Sequence, residues 1–442
     1  MQLALLETLR SIVGAPHVLT GVDCSPYVVE GRTPEAVVLP GSRAEVASVV
    51  AMAAEQEVPL IPWGGGTKMG VGAPPTRLGL VLGLKRLDRV VEHEPGDLTV
   101  TVEAGVTLQA LQAELGRRGQ WLSLDPAWPE RATIGGILAS NASGPRRHLY
   151  GSARDLLIGV SVVHADGSIV RGGGKVVKNV AGYDLPKLYV GSYGALGILV
   201  DATLKLRPLP ETDRLAVAGF DRMKDAGQGI RAIMSSDLIP SALELADAEA
   251  LRAAGLEGAG SCAILVAFDG VTEQVAWECA ELDRLLGTLG LRHARVLDGA
   301  ARDAAWRAVG DLGRAGTDDV AAVMKWGVFP TQLAETMEQA AAMALRNGLR
   351  AAITAHAGVG IGRAVLSGGG GKADPVVTTL TEWRSMVNAA GGHALVEWAP
   401  LAVKERIGVW DAPGPAFRVM ARIKERLDPR GILNPGRFVG GI

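Results

Sequence analysis

Pro62-Trp63-Gly64-Gly65-Gly66-Thr67 follows directly on the apolar run Pro59-Leu60-Ile61, so a short strand feeds into three consecutive glycines. Consecutive glycines reach backbone angles closed to other residues, and can align amide N–H groups into a nest for an anion such as a diphosphate. A flexible turn is the alternative reading of the same residues. A Walker-type phosphate loop is excluded, because Lys68 has neither the required spacing nor a following Ser or Thr.

Working outward, Thr133-Ile134-Gly135-Gly136-Ile137-Leu138-Ala139-Ser140-Asn141-Ala142-Ser143-Gly144 is built almost wholly of small residues. Thr133 is placed to cap a helix whose first amides would point at phosphate. Gly135, Gly136 and Ala139 would let a large ligand lie on the backbone; close helix–strand packing is the plainer alternative. A third run, Gly182-Tyr183-Asp184-Leu185 through Gly191-Ser192-Tyr193-Gly194-Ala195-Leu196-Gly197-Ile198, again pairs glycine with aromatics. Three such runs in one region favour a large cofactor. A nicotinamide-binding Rossmann unit is the natural competitor. Gly358-Val359-Gly360-Ile361-Gly362 fails that reading, because its third glycine comes one position early and it follows no first βαβ unit.

The glycine excess is general: 58 of 442 residues, well above the usual ~7%, with no collagen-like period. The length predicts two or three domains. A net charge of −2 argues against a polyanion-binding surface spread over the whole chain. Cys24, Cys262 and Cys279 form no C-x-x-C pair, so they offer no zinc ribbon, Cys₄ iron–sulfur cluster or disulfide framework. The first residues, with Glu7 and Arg10 inside an apolar stretch, read as an amphipathic helix rather than a signal peptide. No uncharged apolar run reaches the ~18 residues of a membrane span. The reading is a cytoplasmic protein, with any membrane association arising through partners.

From Pro34 to about Pro210 short strands, glycine turns and helices alternate: Ala36–Pro40, then Arg43–Gln56, then Leu98–Val102 and Leu108–Gly116. Ile158–His164 followed by Ala165-Asp166-Gly167-Ser168 predicts a hairpin. Beyond Pro210 the chain turns Ala-rich and predicts a helical α+β domain with few strands, at Ala263–Phe268, Val323–Phe329 and Ala351–His356. The expected fold class is α+β, with domains at 1–210 and 211–395 and a closing segment at 396–442.

The three glycine runs, with Lys178-Asn179-Val180-Ala181-Gly182-Tyr183-Asp184-Leu185 inside the third, resemble the FAD-binding domain of vanillyl-alcohol-oxidase/p-cresol-methylhydroxylase (PCMH) flavoproteins. The resemblance extends to Leu427-Asp428-Pro429 and Asn434-Pro435-Gly436-Arg437. Within that family, Pro145-Arg146-Arg147 and Gly151-Ser152-Ala153-Arg154-Asp155 look most like the FAD-binding E subunit of bacterial glycolate oxidase.

The resemblance implies an FAD domain of two α+β subdomains, a cap domain of α+β type, and a tail returning beside the flavin. It places the pyrophosphate on Gly64, Gly65, Gly66, Thr67, Thr133, Gly135 and Gly136, and counts Pro62 among the cofactor-binding residues. Pro126, Ser140, Asn141 and Gly144 fall near the cofactor's middle, and Gly197 and Ile198 near the adenine. The runs hold no His or Cys, so the FAD is expected to be non-covalent. Hydroxy-acid dehydrogenases of the family carry His-x-Gly-Asp-Gly-Asn-x-His in the cap domain to hold a metal. Here the stretch reads His356-Ala357-Gly358-Val359-Gly360-Ile361-Gly362-Arg363, and apolar Val359 and Ile361 cannot ligate a metal. No metal site is therefore expected. His356 is left as a lone base or, favoured by the sequence, a packing residue. His148 reads as a loop residue, and Arg363 and Lys325 either pair with a substrate carboxylate or face solvent.

The implied function is an FAD-bearing oxidoreductase subunit in 2-hydroxy acid oxidation. Its implied partners are a paralogous flavoprotein dehydrogenase subunit and an iron–sulfur subunit. A stand-alone FAD dehydrogenase or oxidase and a non-catalytic FAD-bearing assembly subunit are the alternatives.

Overall fold

Short apolar runs that end at glycine or proline become strands, and their neighbours with apolar residues on one face become the helices that cover them. The computed structural model describes residues 3–175, 183–313 and 319–442. The segment Lys178–Gly182 of the third glycine motif lies outside the described residues. The chain divides into two units: 1–143 with 152–209 and 412–442, and 144–151 with 210–411.

The first unit opens with β1 (Val18–Thr20), β2 (Ala36–Val38), β3 (Leu60–Trp63) and β4 (Leu80–Gly83), in the order β1-β2-β4-β3. The pairs β2–β4 and β3–β4 are parallel, with Ala36 opposite Leu80 and Leu60 opposite Leu80. The helix Arg43–Glu55, capped by Ser42 accepting the Glu45 amide, buries Val46, Val49 and Val50 against this sheet. Next come β5 (Val90–Glu94), β6 (Thr99–Glu103), β7 (Gln120–Trp121), β8 (Leu157–Val163), β9 (Ile169–Gly173), β10 (Ile198–Lys205) and β11 (Arg207–Pro208). Five of them form an antiparallel sheet in the order β5-β6-β10-β8-β9, while β7 and β11 pair separately. The β8–β9 hairpin turns where the sequence predicts, at Gly167 with φ of +82°. Val100, Val102, Val160, Val162, Ala202 and Leu204 face one core.

The tail closes this unit. Leu433 bridges Leu60 in parallel, and the Leu60 and Asn434 amides donate to Ile432 and Leu60 carbonyls. Behind it the buried Lys424 ammonium donates to the carboxylate of Asp428 at 2.7 Å and to the carbonyls of Leu433 and Ala195 at 2.8 and 2.9 Å. Asp428 in turn accepts the Ile432 and Leu433 amides.

The second unit holds β12 (Thr212–Phe220), β13 (Ala242–Asp247), β14 (Cys262–Gly270), β15 (His293–Leu297), β16 (Val320–Gly327), β17 (Leu349–His356), β18 (Ile361–Gly368) and β19 (His393–Trp398). They form one antiparallel sheet in the order β15-β12-β14-β13-β17-β18-β16-β19. The Ala-rich sequence predicts few strands, whereas eight form, because this sheet is buried on both faces. Ala216, Ala218 and Phe220 pack into the main core, while Leu215 and Val217 of the same strand pack under the helices Ala248–Ala253 and Gly299–Gly310. A strand covered on both sides loses the polar/apolar alternation that marks strands in a sequence. The unit continues through Trp398 and the helix Leu401–Ile407 to Asp411, past the expected boundary at 395, because Val396, Ala399 and Val403 join its core.

Two stability effects follow from these contacts. Burial pushes the Lys424 ammonium below its usual pKa, against the pull of Asp428, so this ion pair holds because every N–H is used. Lys424→Met is expected to cost about 3–5 kcal/mol, leaving a buried carboxylate and two carbonyls unpaired. Chemical denaturation reads that loss, and hydrogen exchange at Leu433 and Asn434 reads the release of the tail. Asp247 accepts the Ala250 amide as a helix cap, and burial raises its pKa to about 7. A carboxyl raised in the folded state binds more protons there than in the unfolded chain, so stability falls as pH rises from about 4 to 7. Asp247→Asn should flatten that slope and gain roughly 2 kcal/mol relative to the parent at pH 8.

Candidate functional site

In the first unit the strand β3 delivers Gly64–Thr67 to the mouth of a cleft. Its walls bring together Pro62, Gly64, Gly65, Gly66, Thr67, Thr133, Gly135, Gly136, Ser140, Gly197 and Ile198. The backbone forms these walls because side chains are excluded. A Cβ on Gly65 would overlap the Arg131 carbonyl, one on Gly135 would lie 2.7 Å from the Ala104 Cβ, and one on Gly64 would strike Thr133 Oγ1. Thr133 caps the helix Ile134–Ser140 as the sequence predicts, accepting the Gly136 amide at 3.3 Å. Gly136 is more open, with only Thr133 Oγ1 near a Cβ there, at 3.1 Å.

Three further sequence-predicted residues are not brought to these walls. Pro126 is buried elsewhere in the unit, and Asn141 ends the helix in a left-handed turn with φ of +47°. Gly144 belongs to the second unit, where the chain has already crossed over.

The tail returns to this cleft, as the resemblance implies. Asn434 and Arg437 line the cleft, as do Lys68 and Tyr193. Asn434 Nδ2 donates to the Tyr193 carbonyl at 2.6 Å, while its buried Oδ1 has no hydrogen-bond partner in the protein. Arg437 donates to the Met69 and Val71 carbonyls, and burial lowers its pKa to about 10, so it stays cationic at neutral pH. A cleft walled by glycine backbone and lined by Lys68 and Arg437, with the buried Asn434 amide oxygen still to be satisfied, fits a large anionic cofactor such as a dinucleotide. The advance sign of Arg437 is its place in the Asn434-Pro435-Gly436-Arg437 motif on which the family resemblance draws.

The second unit carries a polar row on one sheet face. Glu244 of β13 stands opposite His356 of β17, and His356 Nδ1 lies 2.6 Å from Glu244 Oε1. Glu244 is 2% exposed and the His356 side chain 21%. His356 is thus neither alone nor simply packed. With the carboxylate accepting, Nδ1 carries the proton and Nε2 keeps its lone pair. Thr354, Arg363 and Lys325 follow in register across β17, β18 and β16. Arg363 and Lys325 are like charges directly opposite, a repulsive arrangement that Glu397 relieves by accepting Arg363 Nε at 2.9 Å. Arg363 also donates to the Leu312 carbonyl. Among the described residues no three His, Cys, Asp or Glu side chains are grouped to hold a metal ion.

Residues 34–173 match the FAD binding domain family, and residues 209–438 match the C-terminal domain of FAD linked oxidases. The chain belongs to the FAD-linked oxidase family, and it is an FAD-dependent oxidoreductase. Over 437 residues, 94% of this chain and 94% of the other, it is 30% identical to a D-lactate dehydrogenase of Archaeoglobus fulgidus. It is 36% identical to the glycolate oxidase subunit GlcD of Bacillus subtilis over 259 residues, 57% of this chain and 55% of that one. The crystal structure of p-cresol methylhydroxylase with substrate bound shares the fold, with a TM-score of 0.80 and 18% identity over 98% of this chain and 96% of that one.

The different surroundings of the glycines give a graded test. Gly136→Leu is expected to fold with a melting temperature near the parent's, yet to bind FAD at least ~10-fold more weakly, read from the flavin-to-protein absorbance ratio. Gly65→Val should instead fail at the fold, because its side chain meets the Arg131 backbone.

Proposed function

We propose that this chain is the FAD-bearing subunit of a 2-hydroxy acid oxidising complex, of the glycolate-oxidase E type. One observation carries the reading. The cofactor cleft of the first unit is complete, whereas the position matching a metal-binding histidine is Arg363, held by Glu397 and the Leu312 carbonyl. The D-lactate dehydrogenase and GlcD relatives support a 2-hydroxy acid as the source of electrons.

FAD, when bound, accepts a hydride equivalent and releases electrons singly. Gly64–Thr67 and Gly135–Gly136 would hold its diphosphate, Arg437 and Lys68 would offset the charge, and Gly197–Ile198 would lie along the adenine. Among the described residues that line the cleft none is His or Cys, which supports non-covalent attachment. In the second unit His356 Nε2 would accept the hydroxyl proton while Glu244 fixes the ring and stabilises the imidazolium. Lys325 and Arg363 stand in register on the same face, where a carboxylate would meet cationic side chains. The partners implied are a paralogous flavoprotein dehydrogenase and an iron–sulfur subunit, in the cytoplasm. Among the described residues no helix is long and apolar enough to cross a membrane.

A stand-alone dehydrogenase is the second reading, and the oriented His356–Glu244 pair is the observation that favours it. Rates separate the two. The purified chain should release FAD on acid precipitation and oxidise glycolate or D-lactate at roughly a tenth of the co-purified assembly's rate or less, with an iron–sulfur shoulder in the assembly's spectrum. Fast turnover by the pure monomer, abolished in His356→Gln, would establish the second reading instead.

A further inference from the structure

The segment Gly144–Gly151 is flanked on both sides by the first unit's chain, yet it belongs to the second unit. Three contacts pin it there. The Arg146 guanidinium bridges the carboxylates of Asp213 and Asp269, and the Tyr150 hydroxyl donates to Asp269. Arg302 meets Asp213 as well, at 2.7 Å. Asp213 and Asp269 are register partners on β12 and β14. By strand alternation they share the sheet face of Leu215 and Leu265, the face on which Glu244 and His356 also stand.

His148 rides on this pinned segment. Its turn, Arg147–Tyr150, packs on β13, the strand that carries Glu244. The imidazole lies against Gly358, two residues past His356, so closely that a Cβ on Gly358 would overlap the ring. The sequence reads His148 as a loop residue; the structure half-buries it at the turn that follows His356.

We propose that His148 is a second imidazole of the site built on His356 and Glu244, presenting Nε2–H to a carboxylate oxygen of a 2-hydroxy acid. The proposal rests on the functional reading above. The proton's position follows from the surroundings of the ring. Nδ1 is buried with no partner, and a buried N–H without an acceptor is rarer and costlier than a buried lone pair. The proton therefore belongs on Nε2. Burial also holds the His148 pKa below the ordinary histidine range, which keeps the ring neutral. With the Glu244 carboxylate accepting, the neutral His356 ring takes the opposite tautomer, with Nδ1–H on Glu244 and the lone pair on Nε2. One imidazole accepts and the other donates. A 2-hydroxy acid offers the complementary pair, a hydroxyl proton and a carboxylate oxygen on adjacent carbons.

The test uses the full-length, FAD-loaded chain with ¹⁵N-labelled histidine and oxalate, a carboxylate that cannot be oxidised, as the probe. His148→Gln and His356→Gln assign the two rings by loss of their signals. Nitrogen shifts should report Nε2–H for His148 and Nδ1–H for His356, and oxalate should move both. His148→Phe should weaken oxalate roughly 10-fold, as for one lost hydrogen bond to a charged group, while His148→Gln, which keeps a donor, stays closer to the parent. If His356 responds while His148 is silent and His148→Phe binds unchanged, the role of His148 is overturned and the hydroxy-acid reading stands. An Nδ1–H tautomer at His148 overturns its role too. Silence at both rings overturns this proposal together with the site on which it rests.

Discussion

The three N–H bonds of the Lys424 ammonium decide where the end of the chain lies. An ammonium out of water needs all three donors satisfied, and here one carboxylate and two carbonyls meet that demand. Two of those acceptors, Asp428 and Leu433, are in the tail itself, while Ala195 belongs to the third glycine run. The ammonium thus fastens the tail to the body of the first unit and sets Leu433 beside Leu60. One residue later Asn434 reaches Tyr193, and three residues beyond that Arg437 reaches Met69 and Val71. The polar groups that the tail gives the cleft therefore depend on a lysine that does not line it.

The first unit was largely legible because its punctuation is local. Gly and Pro mark the ends of Leu60–Trp63 and the β8–β9 turn, and Thr133 announces the helix it caps. The second unit was not, since its alanines suit a close-packed sheet as well as a helix. Gly219 shows why: its backbone lies against the Ala259 carbonyl, leaving no room for a side chain. Most of the predicted cleft residues proved to be neighbours, because they lie in runs that move together. The surroundings of Arg437 and His148 were not legible, for a shared reason. Each owes its position to contacts far away in sequence, Arg437 to the Lys424 clasp and His148 to Asp213 and Asp269.

On the second unit's sheet, one face changes character along the strands. Where helices cover it, Leu215, Val217, Leu265 and Val365 make an apolar core. Elsewhere the same face carries Asp213, Asp269, Glu244, His356, Thr354, Arg363 and Lys325. Arg146 meets the aspartates, His356 meets Glu244 and Glu397 meets Arg363. Such pairing makes a half-buried polar surface tolerable, since an isolated charge at that depth would cost several kcal/mol. It also orders the imidazole, because Glu244 is too deeply buried to turn toward solvent.

The space beside Gly65 and Gly135 is already filled, by the Arg131 carbonyl and by Ala104. These glycines serve the protein's own packing before any ligand arrives. A descendant that ceased to carry flavin would remain bound to keep them, since replacing either would push one loop off another. Gly65 and Gly135 are therefore marks of the scaffold as much as of the cofactor. Gly136, where a Cβ would press only on the Thr133 hydroxyl, is the position where loss of the cofactor would first be free to show.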